Sequence, residues 1–510
     1  MYLKIFLINI ISMISKTSSK SVLTKRGYAL VKKEYSVETL TKCRDDLMVK
    51  PFVNGDFGVE VKPYPIYLES KKKIYLPKFY GYENFGNPDI IKISKGTKID
   101  LIFDGKLRPK QKPVVNAFLH TCKKGDFVKK TNGGIITVPC GWGKTIMALY
   151  IISKLKKKTI IIVHKEFLLN QWKERIMEFL PSAKIGLIQG PKIDIEGKDI
   201  VLAMLQSLSI KDYEDAIFKD FGLAIVDECH HIAAEVFSRA LHKINSFYLL
   251  GLSATPVRSD GLTKVFKMFL GPTVYKIDKD DKCVEVRVIE YNEPHNKEYT
   301  KEEMVYIGNR SRLCLPKMIN NITKNNNRNF LIVTLAKKLF EQNKQIIILS
   351  DRREQLKYLF SKIETFASVG YYVGGMKQKD LKKSETCNII LGTFPMSSEG
   401  LDIPTLDAAI FATPKSKIQQ SIGRITRKQH INLPIAYDIV DNFSMFKNQY
   451  YKREKIYKKL NYKIYKSSIL INKNITSMDV QKTIDTLKEF SFRKKKTKNV
   501  KCKHQRCSSS

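Results

Sequence analysis

Short, almost unbroken apolar runs recur through the middle of the chain, and between them apolar positions return every three or four residues. In residues 105–278 the runs are Gly134-Ile135-Ile136-Thr137-Val138, Thr159-Ile160-Ile161-Ile162-Val163, Asp199-Ile200-Val201-Leu202-Ala203, Leu223-Ala224-Ile225-Val226 and Tyr248-Leu249-Leu250-Gly251-Leu252. Runs this short without polar alternation predict strands buried on both faces, and residues 167–179 carry the spacing of a covering helix. The alternation predicts a parallel sheet with helices on both sides. Ligands of such sheets gather at the C-terminal ends of the strands.

The pattern then weakens over residues 279–329, where Asn320-Asn321 and Asn325-Asn326-Asn327 read as a linker. It resumes over residues 330–470: helices at 330–342 and 353–366, and strands at Gln345-Ile346-Ile347-Ile348-Leu349, Asn388-Ile389-Ile390-Leu391 and Asp407-Ala408-Ala409-Ile410-Phe411, with a Tyr- and Lys-rich helical stretch after Tyr437-Asp438-Ile439-Val440. The fold class is α/β, with two tandem units. Ahead of them, residues 21–104 alternate short apolar runs with Gly and Pro, as in Lys73-Ile74-Tyr75-Leu76-Pro77, and predict a small β-rich accessory domain. Its Lys78-Phe79-Tyr80-Gly81-Tyr82 stretch either packs that small core, the commoner fate of such rings, or stacks on bases. Residues 1–20 hold an apolar leader, too short to span a bilayer and without a small-x-small cleavage site. Residues 471–510 form a basic tail that includes Arg493-Lys494-Lys495-Lys496.

Composition changes this picture in one respect. The 90 Lys and Arg against 50 Asp and Glu leave a net charge of +40, which favours nucleic acid over membrane as partner. A lysine-rich composition unrelated to binding is the plainer source of part of that charge. The nine Cys show neither paired zinc spacing nor a disulfide framework, so the expected setting is reducing. Cys502, His504 and Cys507 give only three potential ligands in a charged tail, which reads as solvated rather than as a zinc site.

The first run leads into Pro139-Cys140-Gly141-Trp142-Gly143-Lys144-Thr145, and Ile146-Met147-Ala148-Leu149 follows. A strand, a Gly-Lys-Thr turn and a helix make a phosphate-binding loop. Gly141 and Gly143 let backbone N–H groups turn onto phosphate oxygens, Lys144 reaches the β- and γ-phosphates, and the Thr145 hydroxyl holds Mg²⁺. Val138 stands where the general pattern has Gly, a departure at one position. Directly after the run Leu223-Ala224-Ile225-Val226 comes Asp227-Glu228-Cys229-His230. An acidic pair at a strand tip in such a sheet has a defined use: Asp227 holds Mg²⁺ through its water shell opposite Thr145, and Glu228 polarises the water that attacks the γ-phosphate.

With these residues in place, residues 107–427 resemble the superfamily-two helicases. The resemblance implies two RecA-like lobes that use ATP and Mg²⁺, and it assigns further residues. Leu107-Arg108-Pro109-Lys110-Gln111 is similar to the adenine-recognition segment, with Arg108 and Gln111 as ATP contacts beside Val138, Pro139, Cys140, Gly141, Trp142, Gly143, Lys144 and Thr145. Asp227, Glu228, Cys229 and His230 look like the DExH box. Ser253, Ala254 and Thr255, with Gly400 and Asp402, are similar to segments coupling hydrolysis to movement. Gln420-Ser421-Ile422-Gly423-Arg424-Ile425-Thr426-Arg427 resembles the arginine-finger motif, which makes Gln420 an ATP contact and Arg424 and Arg427 catalytic residues acting when the lobes close. Backbone contacts on the tracked strand fall to His164, Lys165, Gln206, Ser207, Ser350 and Thr393.

Within the superfamily, Pro256-Val257-Arg258-Ser259-Asp260 resembles an element of the XPB-like branch and its relatives in poxviruses and other large DNA viruses, with Ser259 departing from its acidic middle residue. That resemblance adds Arg258 and Asp260 to the nucleic-acid contacts. It implies DNA as the track, three-prime to five-prime movement, and work with viral transcription or genome processing, in the host cytoplasm or nucleus or packaged in the virion, without stable membrane association. An RNA helicase acting on transcripts is the alternative, since DExH boxes serve both tracks. A catalytically inactive nucleic-acid scaffold is the reading of another class, and intact Lys144, Glu228 and Arg427 oppose it.

Overall fold

The computed structural model describes residues 20–50, 62–122, 132–139, 141–214, 216–229, 234–254, 263–277, 283–307, 310–399, 401, 403–426 and 432–490. The apolar leader, the Cys502, His504 and Cys507 group and the lysine run from Arg493 lie outside them. Two compact units divide the chain: Met1–Asp280 with Ser398–Asp402, and Asp281–Ser397 with Ile403–Ser510.

The first unit is built on an eight-stranded sheet. Its strands are β1 (Gly133–Thr137), β2 (Thr159–Val163), β3 (Ile185–Gln189), β4 (Lys192–Asp194), β5 (Ile200–Met204), β6 (Leu223–Val226), β7 (Tyr248–Ser253) and β8 (Thr273–Lys276), in the spatial order β4-β3-β5-β2-β6-β7-β1-β8. Every neighbouring pair is parallel except β3 with β4. Every residue of β1, β2 and β6 is buried, as expected of central strands covered on both faces. The edge strand β4 and its neighbour β3 were not legible as apolar runs, because β4 is exposed or half-buried throughout and every second position of β3 is half-buried.

Residues 21–104 do not form a separate domain. Ser21–Thr24 and Gly27–Val31 pair with Lys73–Leu76, Leu68–Glu69 and Ile90–Ile91 in a five-stranded sheet, but this sheet shares one core with the first unit: Tyr28, Leu30, Ile74 and Phe79 pack in the same cluster as Ile135, Ile160 and Leu249. Polar side chains fix the junction. Asn245 Nδ2 donates to Thr24 O at 2.9 Å, the His242 ring nitrogens lie 3.3 Å from Arg26 O and 3.1 Å from Ile66 O, and Lys78 Nζ donates to Phe247 O at 2.7 Å. The Lys78-Phe79-Tyr80 stretch is a helix, Lys78–Phe85, with Phe79 and Tyr80 buried, so those two rings pack rather than face bases.

The second unit repeats the architecture. Its sheet contains β9 (Glu285–Asn292), β10 (Ile346–Leu349), β11 (Val369–Tyr372), β12 (Ile389–Gly392), β13 (Ala408–Phe411), β14 (Ile435–Asp441), β15 (Lys463–Leu470) and β16 (Lys488–Glu489), in the order β11-β12-β10-β13-β14-β9-β15-β16. Residues 279–329 are therefore no linker: β9 lies between β14 and β15, parallel to both. The asparagines that suggested a linker are structural. Asn325 Oδ1 accepts from Arg328 N at 2.7 Å and caps the helix Asn326–Glu341, while Asn325 and Asn327 donate to the Glu293 carboxylate at 2.6 and 2.7 Å. The unit also extends past residue 470, where Ile471, Ile475 and Val480 are buried in its core, so the basic tail begins later than expected.

A candidate nucleotide site and nucleic-acid contacts

The end of β1 and the helix Lys144–Leu155 are joined by a turn that needs left-handed backbone at two positions. Gly141 has φ +79° and Gly143 φ +80°, conformations that carry no steric penalty only in glycine. The adenine-segment residues close over this turn. Gln111, 2% exposed, donates from Nε2 to Trp142 O at 2.8 Å and accepts from Arg108 N at 2.8 Å, and Arg108 Nη2 donates to Gly141 O at 3.3 Å. A Cβ on Gly143 would stand 2.6 Å from Gln111 Nε2 and 3.0 Å from Arg108 Nη2. Segment and loop are thus one packed piece, completed by Lys110 Nζ over the Trp142 ring at 4.3 Å.

Across β7, the strand β6 delivers the acidic pair. Glu228 takes φ +46°, a left-handed conformation of the kind that costs a non-glycine residue about 1–3 kcal/mol and that clusters at functional sites. Its Oε1 lies 3.1 Å from Lys144 Nζ, so the expected phosphate-reading cation and the expected base converge on one place. Asp227 is 5% exposed; its Oδ1 accepts from Glu228 N at 2.9 Å and its Oδ2 from Trp172 Nε1 at 2.8 Å. Burial and the adjacent Glu228 carboxylate push the Asp227 carboxyl up to about 6, against the pull of Lys144 and the indole N–H. Between the two tips, β7 brings Ser253, whose carbonyl accepts from Val138 N at 3.1 Å. The segment expected to couple hydrolysis to movement, Ser253-Ala254, is therefore bonded to the start of the expected phosphate loop.

The donors expected for a metal, the Thr145 hydroxyl and the Asp227 carboxylate, are an all-oxygen set of the kind that suits Mg²⁺. Among the described residues no group of three or more His, Cys, Asp and Glu side chains is arranged to hold a metal ion. An ion at Asp227 would thus take its remaining ligands from phosphate and water, as Mg²⁺ in nucleotide sites does.

Trp172 is a neighbour of the acidic pair that the pattern of the chain did not mark. It reads as one more apolar position on the buried stripe of the helix Glu166–Phe179. The available signal was chemical: a buried indole N–H requires an acceptor, and here the acceptor is the carboxylate of the acidic pair.

Of the expected strand contacts, His164 and Gln206 are brought together, Gln206 Nε2 donating to His164 O at 2.9 Å. The Ser207 hydroxyl accepts from Gly190 N at 2.9 Å, and Lys165 stands at the N-terminal boundary of the helix Glu166–Phe179 without a capping bond from its side chain. In the second unit Thr393 precedes the helix Phe394–Glu399, and Ser397 of that helix donates to Ser421 at 3.5 Å, tying it to the short helix that carries Gln420. Arg424 is buried. Ser350 corrects the expectation for it: it is fully buried and its hydroxyl donates to Gln355 Oε1 at 2.7 Å, leaving no surface for a phosphate. Cys140, His230, Thr255, Arg258, Asp260, Gly400, Asp402 and Arg427 lie outside the described residues.

Comparison with known proteins decides the family. The chain is 38% identical over 460 residues to a protein of Acanthamoeba polyphaga mimivirus that bears the name of an ATP-dependent RNA helicase, covering 88% of this chain and 87% of that one. The chain belongs to the helicases of large DNA viruses. The helicase is also 30% identical over 450 residues to a protein of invertebrate iridescent virus 6 named as a helicase, covering 84% of this chain and 96% of the relative. Residues 104–258 of the helicase match the family described as type III restriction enzyme, res subunit. Among solved structures, S. cerevisiae Dbp5 bound to RNA and ADP BeF3 has the same fold, with a TM-score of 0.52 at 11% identity over 71% of this chain and 90% of that one. The two RecA-like units belong to an ATP-hydrolysing, nucleic-acid-dependent helicase. Among the described residues no helix is long and apolar enough to cross a membrane.

Proposed function

We propose that this helicase moves along the DNA backbone in a three-prime to five-prime direction without reading sequence, in viral transcription or genome processing, as the XPB-like resemblance implies. The observation that carries its ATPase half is the convergence of Lys144 Nζ and Glu228 Oε1 at 3.1 Å beside an indole-held Asp227. The γ-phosphate is read by Lys144, the attacking water is polarised by Glu228, and Thr145 with Asp227 hold Mg²⁺. When bound, that ion neutralises charge developing on the phosphates. Arg424 and Arg427 complete the neutralisation. For the track, the match to a restriction-enzyme subunit supports DNA. RNA is the second reading, favoured by the name of the mimivirus relative.

Steady-state ATPase with matched duplex DNA, single-stranded DNA and single-stranded RNA separates the two. Stimulation by DNA forms alone supports the first reading, and stimulation by RNA alone replaces it with transcript remodelling. In the same assay Lys144→Ala abolishes turnover and weakens ATP binding, whereas Glu228→Gln retains bound ATP and lowers turnover by at least about 100-fold, the lower range for lost general-base catalysis. Wild-type turnover in Glu228→Gln would remove that residue from its role.

A further inference from the structure

The helix Ser444–Lys459 lies outside every motif used above, and its two faces differ in kind. One face is buried and consists of Phe446, Tyr450, Arg453 and Tyr457, at helical spacing. The Arg453 guanidinium grips Asp438 with two bonds of 2.8 Å, Tyr457 OH donates to the same carboxylate at 2.8 Å, and the third guanidinium nitrogen donates to Lys415 O at 2.8 Å. The helix is thereby fixed to the segment that leads directly into Gln420 and Arg424.

The opposite face exposes Lys447, Tyr451, Lys452, Lys455 and Lys459. At 3.6 residues per turn these fall on one stripe, with neighbouring cations along the axis about 6 Å apart. None of the four lysines has an acidic partner among the described residues. The one acid on the helix, Glu454, is already used by Lys458 and Lys466, each at 2.8 Å. In the middle of the stripe the Tyr451 side chain stands 53% exposed. An ordinary solvated lysine face needs neither an exposed ring nor the removal of its only acid. Uncompensated cations around a presented aromatic face are the means by which single strands are held, phosphates on the lysines and a base on the ring.

We propose that this face of the helix Ser444–Lys459 is an auxiliary, sequence-independent contact for single-stranded nucleic acid. Through Arg453 and Lys415 it bears on the segment that carries Gln420 and Arg424. The proposal rests on the helicase reading for its partner and adds a site and a structural class of strand to it.

The test replaces Lys447, Lys452, Lys455 and Lys459 together by Gln, which keeps helix propensity, in the full chain. Binding of a fluorescent mixed-sequence single-stranded oligonucleotide, in DNA and RNA forms, is measured at several salt concentrations. At about 0.7 per phosphate contact on a single strand, the slope of log affinity against log salt falls by roughly 2–3, and affinity at low salt falls at least tenfold. ATPase without nucleic acid stays unchanged, and the oligonucleotide concentration for half-maximal stimulation rises in parallel with the loss of affinity. An unchanged slope in the variant beside salt-dependent binding by the wild type overturns this proposal alone. Failure of the wild type to bind or respond to any oligonucleotide overturns the helicase reading and this one with it. Tyr451→Ala separates stacking from charge: a loss of about fivefold or more for single strands with duplex binding unchanged supports the ring's role, and equal losses for both remove it.

Discussion

At the residue scale the site turns on how one carboxylate is held. Both Asp227 oxygens accept N–H donors, one from its own neighbour and one from Trp172 on a different element, and the second of these fixes the rotation of the carboxylate plane. A hydrogen bond to a charged group contributes about 1.5–3 kcal/mol, so Trp172→Phe, which keeps the ring and removes the N–H, is expected to lower turnover at least about tenfold. Its distinguishing readout is the ratio of fluorescent ADP affinities with and without Mg²⁺, which falls in this variant. Leu169→Ala, on the same buried helix face, lowers thermal stability and leaves the ratio alone. If the two variants behave alike, Trp172 is a packing residue only. Lys144, Asp227 and Glu228 were legible because each sits at a fixed offset from an apolar run whose strand character is plain. Trp172 was not, since its partner is 55 residues away and only the folded sheet makes them neighbours.

Elements show a different division. Buried strands such as β2 were legible to the residue, as were β6 and the beginning of the helix Arg353–Ile363. Strand β9 was not, although it is central, because Glu285, Arg287 and Glu290 interrupt its apolar positions. The fold accommodates Arg287 sideways, through Glu285 and the Tyr437 hydroxyl at 2.9 Å. The short helix Lys78–Phe85 raises a further consequence. Lys78 is 2% exposed, and its ammonium donates to the Phe247 carbonyl and lies over the Phe79 and Phe247 rings at 5.3 and 6.0 Å, so burial pushes its pKa down to about 7. Between that value and the ordinary lysine range the unfolded chain binds the extra proton, so this group makes the first unit more stable as pH rises from about 7 toward 10. Below pH 7 the cost of the buried charge is fully present. Denaturant unfolding at pH 7 and pH 9.5 should show wild type gaining on the order of 2 kcal/mol relative to Lys78→Met; an equal response of both proteins to pH would contradict it.

For the molecule as a whole, the two-unit plan and its parallel sheets followed from the spacing of apolar runs, while the limits of each unit did not. Residues 21–104 looked independent because their strands are short and closed by turns, yet their apolar faces are spent on the first unit's core. Residues 471–489 looked like tail because lysines dilute the three buried positions Ile471, Ile475 and Val480. Those three side chains contribute about 1.5–3 kcal/mol each. A chain ending at residue 470 is therefore expected to lose roughly 5–9 kcal/mol from the second unit. Thermal unfolding of this truncation and of the full chain followed by circular dichroism checks this, and equal melting would return residues 471–489 to the tail.

The position of β9 also sets a timetable for synthesis. The sheet of the first unit is complete once β8 has been made, and β9 follows within a few residues, but its first partner, β14, begins only at Ile435. At 5–20 residues per second, a ribosome leaves that strand without neighbours for roughly 7–30 s. An unpaired strand invites association between nascent chains. Glu285, Arg287 and Glu290, which concealed β9 from recognition as a strand, are the charges that would keep it apart from its copies on a polysome during that interval.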